Sequence, residues 1–164
     1  MFKFFKLFGE QYFGFWIGGL LLFAVQEIPY MIMPLIKPDP NPIMNIKEHY
    51  QPLAVAEAVL GTACIVLMCF VVREGETIFS VGEGAKRVFF FLACAVLLAN
   101  FIGWAVYYAG TRTDFVMLTF IVAMPPLYYL FTGLWRGNTP LTVTAAVFLC
   151  VHFSHVFLNL RQGG

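Results

Sequence analysis

Charged side chains are scarce in this chain of 164 residues. Only 12% of the residues are Asp, Glu, Lys or Arg, whereas soluble domains contain about 25%. The hydrophobic fraction is 60%, and the mean hydropathy is +0.80. A short chain of this composition has too little polar side-chain surface to cover a soluble core. The composition therefore excludes an ordinary soluble domain and favours the lipid bilayer as the solvent.

The chain also lacks a strong net charge and a cysteine motif. Its net charge is +1, so no basic field indicates a nucleic-acid partner. The four cysteines form no Cys-x-x-Cys pair, and all of them lie within apolar runs, which is typical of small packing residues. These cysteines are Cys64, Cys69, Cys94 and Cys150. We therefore predict neither a metal site nor a cofactor.

Long apolar runs are what the chain has in abundance. Five runs are each near the ~20 residues that a spanning helix needs, and none contains Lys or Arg. They cover about residues 12–36, 53–72, 88–109, 115–135 and 141–160. The sequence therefore predicts an all-α integral membrane bundle of five transmembrane helices, forming a single transmembrane domain over residues 1–164. We expect the basic, Phe-rich start to lead into a retained first helix, because no A-x-A cleavage site follows.

Lys and Arg are distributed unevenly between the two sides of such a bundle. Six of the ten fall on the side of the N-terminus and four on the opposite side. By the positive-inside rule, this distribution predicts a cytoplasmic N-terminus. It does not distinguish a bacterial inner membrane from a eukaryotic endomembrane.

The first apolar run contains an acid, within the stretch "FAVQEIPYMIMP". An ionised carboxylate near the bilayer centre costs at least ~2.5–3.5 kcal/mol, so Glu27 is a candidate functional residue. No Lys or Arg inside a span is available to neutralise it. Glu27 either acts as a general acid or ligand anchor, or it closes an interhelical hydrogen bond in protonated form. Glu57 is the second candidate acid, although its position near a span end also suits the headgroup level.

Further polar and aromatic residues are expected between the bilayer midplane and the side opposite the N-terminus. Counted at 1.5 Å per residue along each helix, they predict a polar pocket that opens toward one side. The candidate ligand-binding residues are Asn100, Trp104, Tyr108, Tyr128, His152 and His155. All of them also suit ordinary helix packing. His152 and His155 lack a clear third and fourth ligand, so we predict no metal or haem there.

Four apolar stretches of the chain resemble the EXPERA group, which includes emopamil-binding protein, a sterol isomerase, and sigma-type membrane receptors. Besides the stretch around Glu27, they are "AEAVLGTACIVLMCFVVREG", "RVFFFLACAVLLANFIGWAVYY" and "FIVAMPPLYYL". The resemblance covers roughly residues 20–136. Phe23, Pro125 and Tyr128 stand where the family isomerases have His, Asn and Trp. The resemblance implies an acid-lined intramembrane pocket for a sterol-like or isoprenoid ligand.

These features lead to one principal hypothesis and two alternatives. The principal hypothesis is an acid-catalysed isomerase or cyclase, with Glu27 as the acid and Glu57 as second acid or counter-ion. The alternatives are a non-catalytic lipid- or sterol-binding protein and a small structural subunit of a larger membrane complex. The expected partners are a lipophilic small molecule and the lipid bilayer. The oligomeric state is left open.

Overall fold

The computed structural model describes residues 2–75, 77 and 79–163 and confirms the five predicted spans. Helices α1, α2 and α3 form the first three spans. The fourth span consists of a single turn, α4, then a π-helical segment, then α5; α6 is the fifth span. Their bounds are Ile17–Ile36 (α1), Gln51–Phe70 (α2), Ala85–Tyr108 (α3), Asp114–Val116 (α4), Met117–Val122 (the π segment), Met124–Arg136 (α5) and Thr139–Gly163 (α6).

The fourth span lies at the centre of the bundle. Half of its most apolar window is buried inside the protein, against 17–28% in the other four spans. Helices α3 and α6 pack on α5, and α2 packs on α6. Helix α1 packs less extensively, mainly against α2 and α3. The large apolar side chains left exposed on the spans, such as Leu21, Val59, Phe91 and Ile102, face outward. They are the surface that a bilayer would cover.

The fourth span changes helix type in front of a pair of prolines. Pro125 and Pro126 occupy the start of α5, where a missing N–H is tolerated. The preceding π segment has looser turns, and the amide Nδ2 of Asn100 on α3 donates to the Phe120 carbonyl at 2.8 Å. A polar side chain from a neighbouring helix thus satisfies a backbone group exposed by the break, as the membrane interior demands.

The N-terminal segment differs from the prediction. Helix α1 begins at Ile17 and not near residue 12, and the residues before it form a β-hairpin of Phe2–Phe8 (β1) and Gln11–Phe15 (β2). Gly9 has a φ of 51° in the two-residue turn, a conformation that glycine adopts without strain. Strand β2 also pairs with Val71–Arg73 (β3), directly after α2. Phe-rich segments favour strands when a pairing partner exists.

Asn138 joins three elements at the sheet end of the bundle. Its Oδ1 accepts a hydrogen bond from the Leu141 N–H at 3.0 Å, which caps the start of α6. Its Nδ2 donates to the Leu67 carbonyl at 2.9 Å and the Val71 carbonyl at 3.2 Å. One buried amide therefore ties α6 to the end of α2 and to β3.

Candidate functional site

A cleft of about 170 Å³ lies within the membrane-spanning part of the protein, between α1, α2, α5 and α6. Its walls are mostly apolar and aromatic, and three of its lining side chains are strongly polar. The lining residues are Gln26, Glu27, Tyr30, Gly61, Ile65, Pro125, Tyr129, Phe148 and His152. Sites for drug-sized ligands occupy about 300–1,000 Å³. The cleft is therefore smaller than a typical site for a whole drug-sized ligand.

A glycine and a proline shape two walls of the cleft. Gly61 on α2 faces the Phe148 ring on α6, and a Cβ built on Gly61 would lie 3.3 Å from that ring. The glycine thus lets the aromatic ring approach the α2 backbone. Pro125 begins α5 on another wall. Helix α1, which packs less extensively than the other spans, supplies the wall that carries Gln26, Glu27 and Tyr30.

Helix α1 presents two adjacent polar side chains to the cleft. Glu27 is partly buried, and no hydrogen bond or ion pair from the described residues reaches its carboxyl. Gln26 is only 2% exposed, and its Oε1 has no hydrogen-bond partner in the described part of the chain. Gln26 therefore lies beside Glu27 in the cleft, although the sequence analysis did not indicate it as a candidate. The signal for Gln26 was its polar side chain inside an apolar run.

Glu57 on α2 lies against two histidines that are one turn apart on α6. Its Oε2 forms a very short contact with His155 Nδ1, and its Oε1 lies 3.2 Å from His152 Nδ1. The i, i+3 spacing places both rings on one helix face, opposite a single carboxylate. The structure therefore brings together three residues that the sequence analysis nominated separately.

Two residues outside that set complete the cluster. Glu48 precedes α2, and its Oε2 lies 2.7 Å from His155 Nε2. Asn159 donates from Nδ2 to Glu48 Oε1 at 3.4 Å and accepts the His49 N–H at 2.9 Å. We call Glu48, Glu57, His152, His155 and Asn159 the His–Glu cluster. It fastens the 37–50 connector to the ends of α2 and α6.

Glu48 is the member of the His–Glu cluster that lies outside the spans. Desolvation alone would raise the pKa of its carboxyl. Hydrogen bonds from the Tyr50 N–H at 2.6 Å, from His155 and from Asn159 outweigh desolvation and hold this pKa below its ordinary value. Glu48 is therefore an anion near neutral pH.

His152 belongs both to the cleft and to the His–Glu cluster. Its ring lines the cleft and stacks on Phe148, with the ring centroids 5.1 Å apart. Its Nδ1 is close to Glu57 but has no hydrogen bond of good geometry among the described residues. The His–Glu cluster therefore reaches the cleft through one imidazole.

Five of the six predicted ligand-binding residues are not among the residues that line the cleft. His155 belongs to the His–Glu cluster, and the other four make their contacts elsewhere. Asn100 binds the π segment, and the Tyr128 hydroxyl donates to the Leu22 carbonyl at 3.4 Å. The Tyr108 hydroxyl donates to the Pro29 carbonyl at 2.6 Å. Trp104 packs against Tyr30 with ring centroids 4.8 Å apart, so it lies one layer behind the cleft wall. The polar groups of Asn100, Tyr108 and Tyr128 donate hydrogen bonds to backbone carbonyls, and the Trp104 ring packs against other aromatic rings.

The chemistry available at the site is acid–base chemistry. Carboxyl, imidazole and amide groups meet there, and aromatic faces surround them. Within residues 2–75, 77 and 79–163, no group of three His, Cys, Asp or Glu side chains has the geometry of a metal site.

Fold and site together define the class: a multi-pass helical membrane protein with an apolar cleft and a partly buried network of carboxylates and imidazoles. Comparison of the chain with protein-family models, with curated proteins and with solved structures finds no match.

Proposed function

We propose that this protein binds a lipophilic, isoprenoid or sterol-like molecule in the cleft and isomerises or cyclises it by general acid catalysis. The observation that carries the proposal is the pairing of Glu27 with Gln26 on an intramembrane cleft, without a Lys or Arg among its lining residues. An acid at this depth is costly unless it has a partner or a function. A ligand hydroxyl would supply the donor that the Gln26 oxygen lacks.

The apolar lining supports the choice of ligand class. Tyr30, Tyr129 and Phe148 offer aromatic faces, which attract the positive charge that develops when an alkene is protonated. The resemblance of the helices to the EXPERA group supports the same class, and a distant relationship to that group is part of the proposal. The small cleft volume favours a ligand that enters from the bilayer with one end only.

The proposed reaction needs no co-reactant. Glu27, in its carboxylic acid form, gives its proton to one alkene carbon, which leaves a carbocation and a carboxylate. Loss of a proton from a neighbouring carbon, to Glu27 or to His152, forms the new double bond. The net change is a shifted double bond with no change in mass. The contacts of Glu57 with both histidines support a role as their counter-ion more than as a second acid.

Glu27→Gln tests this proposal. The full chain and the variant are purified in the same detergent, and the lipids that copurify are compared by mass spectrometry. Both proteins are then incubated with geranylgeraniol, with lanosterol and with the host lipid extract, and products of equal mass are sought by chromatographic retention. We expect product with the native chain and a loss of roughly 10²–10⁴-fold in rate with Glu27→Gln.

Glu83→Gln is the matched control, because Glu83 is exposed in the connector before α3 and does not line the cleft. It should turn over substrate at the native rate. Equal activity in Glu27→Gln and Glu83→Gln would reject the catalytic role of Glu27.

A non-catalytic lipid- or sterol-binding protein is the second candidate. The limited cleft volume favours it, because 170 Å³ holds little more than a polar head and its first ring or isoprene unit. In that case Gln26 and Glu27 anchor a ligand hydroxyl or amine. A lipid retained by the native chain, lost in Glu27→Gln and recovered chemically unchanged would decide for this function. Copurification of a stoichiometric protein partner would instead indicate a subunit of a complex.

A further inference from the structure

We propose that Glu48, His155, Glu57 and His152 form a proton relay that connects water beside the 37–50 connector with the intramembrane cleft. The use of the delivered proton rests on the proposed function, whereas the relay itself follows from the contacts within the His–Glu cluster. Neither Glu48 nor a connection to the aqueous side was evident from the sequence.

Successive groups of the relay lie within 3.2 Å of one another. The first two links are hydrogen bonds, and the third, from Glu57 to His152, is a close contact that a small rotation of the His152 ring would convert into one. Glu48 Oε2 and His155 Nε2 are 2.7 Å apart, and His155 Nδ1 touches Glu57 Oε2. The other oxygen of Glu57 lies 3.2 Å from His152 Nδ1, and the His152 ring lines the cleft. Carboxyl and imidazole groups therefore alternate along the whole path, and each is both a proton donor and a proton acceptor.

The two ends of the path differ in their access to water. The Glu48 side chain is 33% exposed and precedes the first residue of α2. His155 and His152 are 11% and 16% exposed and lie in the second half of α6. Proton exchange through bulk water is thus open to Glu48 and restricted at the histidines.

Proton transfer along this path balances without any further reagent. Doubly protonated His155, whose Nε2–H donates to Glu48, gives its Nδ1 proton to Glu57 Oε2. Rotation of the protonated Glu57 carboxyl turns its O–H toward His152 Nδ1, and His152 takes this proton and releases its Nε2 proton to the cleft. Rotation of the His155 ring then presents its bare nitrogen to Glu48, which takes a proton from water and passes it to the imidazole. One proton enters and one leaves. Reverse transfer or rotation of the rings restores the starting tautomers.

Such a path would serve acid catalysis in a site closed to water. After Glu27 protonates a substrate and His152 accepts a proton from it, both groups must return to their starting states. The relay lets His152 exchange protons with water while the cleft remains filled by the ligand. It also explains why both histidines contact the same carboxylate on a second helix.

The experiment follows the protonation of Glu27 by infrared absorption, with the full chain in lipid nanodiscs and without any ligand. The Glu27 band is the one lost in Glu27→Gln. Its rate of change is measured after a rapid change of pH and, where the acid is protonated, on transfer to D₂O. We expect His155→Phe to slow this rate roughly a hundredfold, the lower end of what a positioned proton-transfer group contributes. Added imidazole should restore part of it.

Two further variants separate proton transfer from a structural role. Glu48→Gln keeps a hydrogen-bonding side chain at the exposed rim, so it should fold normally and still slow the rate. His49→Phe makes the same change at an exposed neighbour whose side chain lies outside the relay, and it should keep the native rate.

Native rates in both His155→Phe and Glu48→Gln would overturn the relay. Slowing in His155→Phe alone, without rescue by imidazole, would also overturn it, because lost packing explains that result. The measurement needs no substrate, so the relay can fail while Glu27→Gln remains inactive, and the catalytic proposal can fail while the relay stands.

Discussion

Gln26 and Asn100 are buried amides in the same membrane environment, and they differ in one hydrogen bond. The side-chain oxygens of both lack a partner among the described residues, but the Asn100 Nδ2 donates to the Phe120 carbonyl. An unsatisfied buried acceptor costs roughly 1–3 kcal/mol. We therefore expect Gln26→Leu to leave the thermal stability of the ligand-free protein unchanged or higher by about 1 kcal/mol, and to weaken retention of a copurifying lipid.

Asn100→Leu is the comparison for this prediction. Its loss of one interhelical hydrogen bond should lower stability by about 0.6–1.7 kcal/mol. Thermal unfolding of both variants in the same detergent, followed by circular dichroism, measures the difference. A larger loss in Gln26→Leu than in Asn100→Leu would show that the Gln26 amide is satisfied in the native protein.

Residue types alone predict some members of the site and not others. Glu27 stands out in the sequence because an acid in an apolar run is costly wherever it lies. Glu48 does not, because an acid in a polar connector is ordinary until the fold places it 2.7 Å from His155. Asn100 and Tyr108 were nominated for their polarity, but hydrogen bonds to the broken backbone of the fourth span and to α1 account for it. A polar side chain in a span therefore indicates that a hydrogen-bond partner exists, but the sequence alone does not identify that partner.

At the scale of elements, the single side chain of Asn138 connects α2, β3 and α6. Its side chain caps α6 and binds carbonyls at the end of α2 and in β3. Asn138→Ala removes all three bonds from a site that is 3% exposed. Because an N-cap alone contributes about 0.5–2 kcal/mol, we expect a loss of at least that size in thermal unfolding.

Asn45→Ala is the matched control for Asn138, because Asn45 is exposed and its side chain lies outside the three connections. It should unfold at the native temperature. Equal stability of Asn138→Ala and Asn45→Ala would mean that the joint between α2, β3 and α6 is held by packing alone.

The elements themselves were predictable to the extent that they depend on local composition. Length and apolarity are enough to specify the five spans, because the bilayer imposes both. The hairpin of β1 and β2 was not predicted, because β2 pairs with β3, about 60 residues farther along the chain. A pair of prolines interrupts a helix by local chemistry alone, but the π segment before Pro125 and Pro126 also depends on the amide that α3 supplies.

On the scale of the whole molecule, polarity is arranged along the membrane normal. The sheet and the Asn138 joint lie at one end of the spans, and the His–Glu cluster lies at the other. The cleft lies between them and is connected by hydrogen-bonding groups to the second end. The two proposals therefore place proton exchange at the cluster and ligand entry at the bilayer.

The orientation of this arrangement in the membrane is the remaining prediction. The excess of Lys and Arg predicts that the connector before α3 is cytoplasmic and that the 37–50 connector is on the opposite side. Glu83→Cys and Asn45→Cys place one exposed thiol in each. Of the native cysteines, Cys64 and Cys69 are buried in the protein, and the other two lie on outward faces of spans, so we expect little labelling of the native chain.

In intact cells, a membrane-impermeant maleimide should label Asn45→Cys at once and Glu83→Cys only after permeabilisation. The native chain, treated in parallel, controls for its own thiols. This orientation would put the open end of the proposed relay outside the cytoplasm, so that the cleft exchanges protons with the external or lumenal compartment. The reverse labelling pattern would contradict the charge-based orientation and would make the cytoplasm the source of the proton, because Glu48 and the Asn45 thiol lie on the same connector.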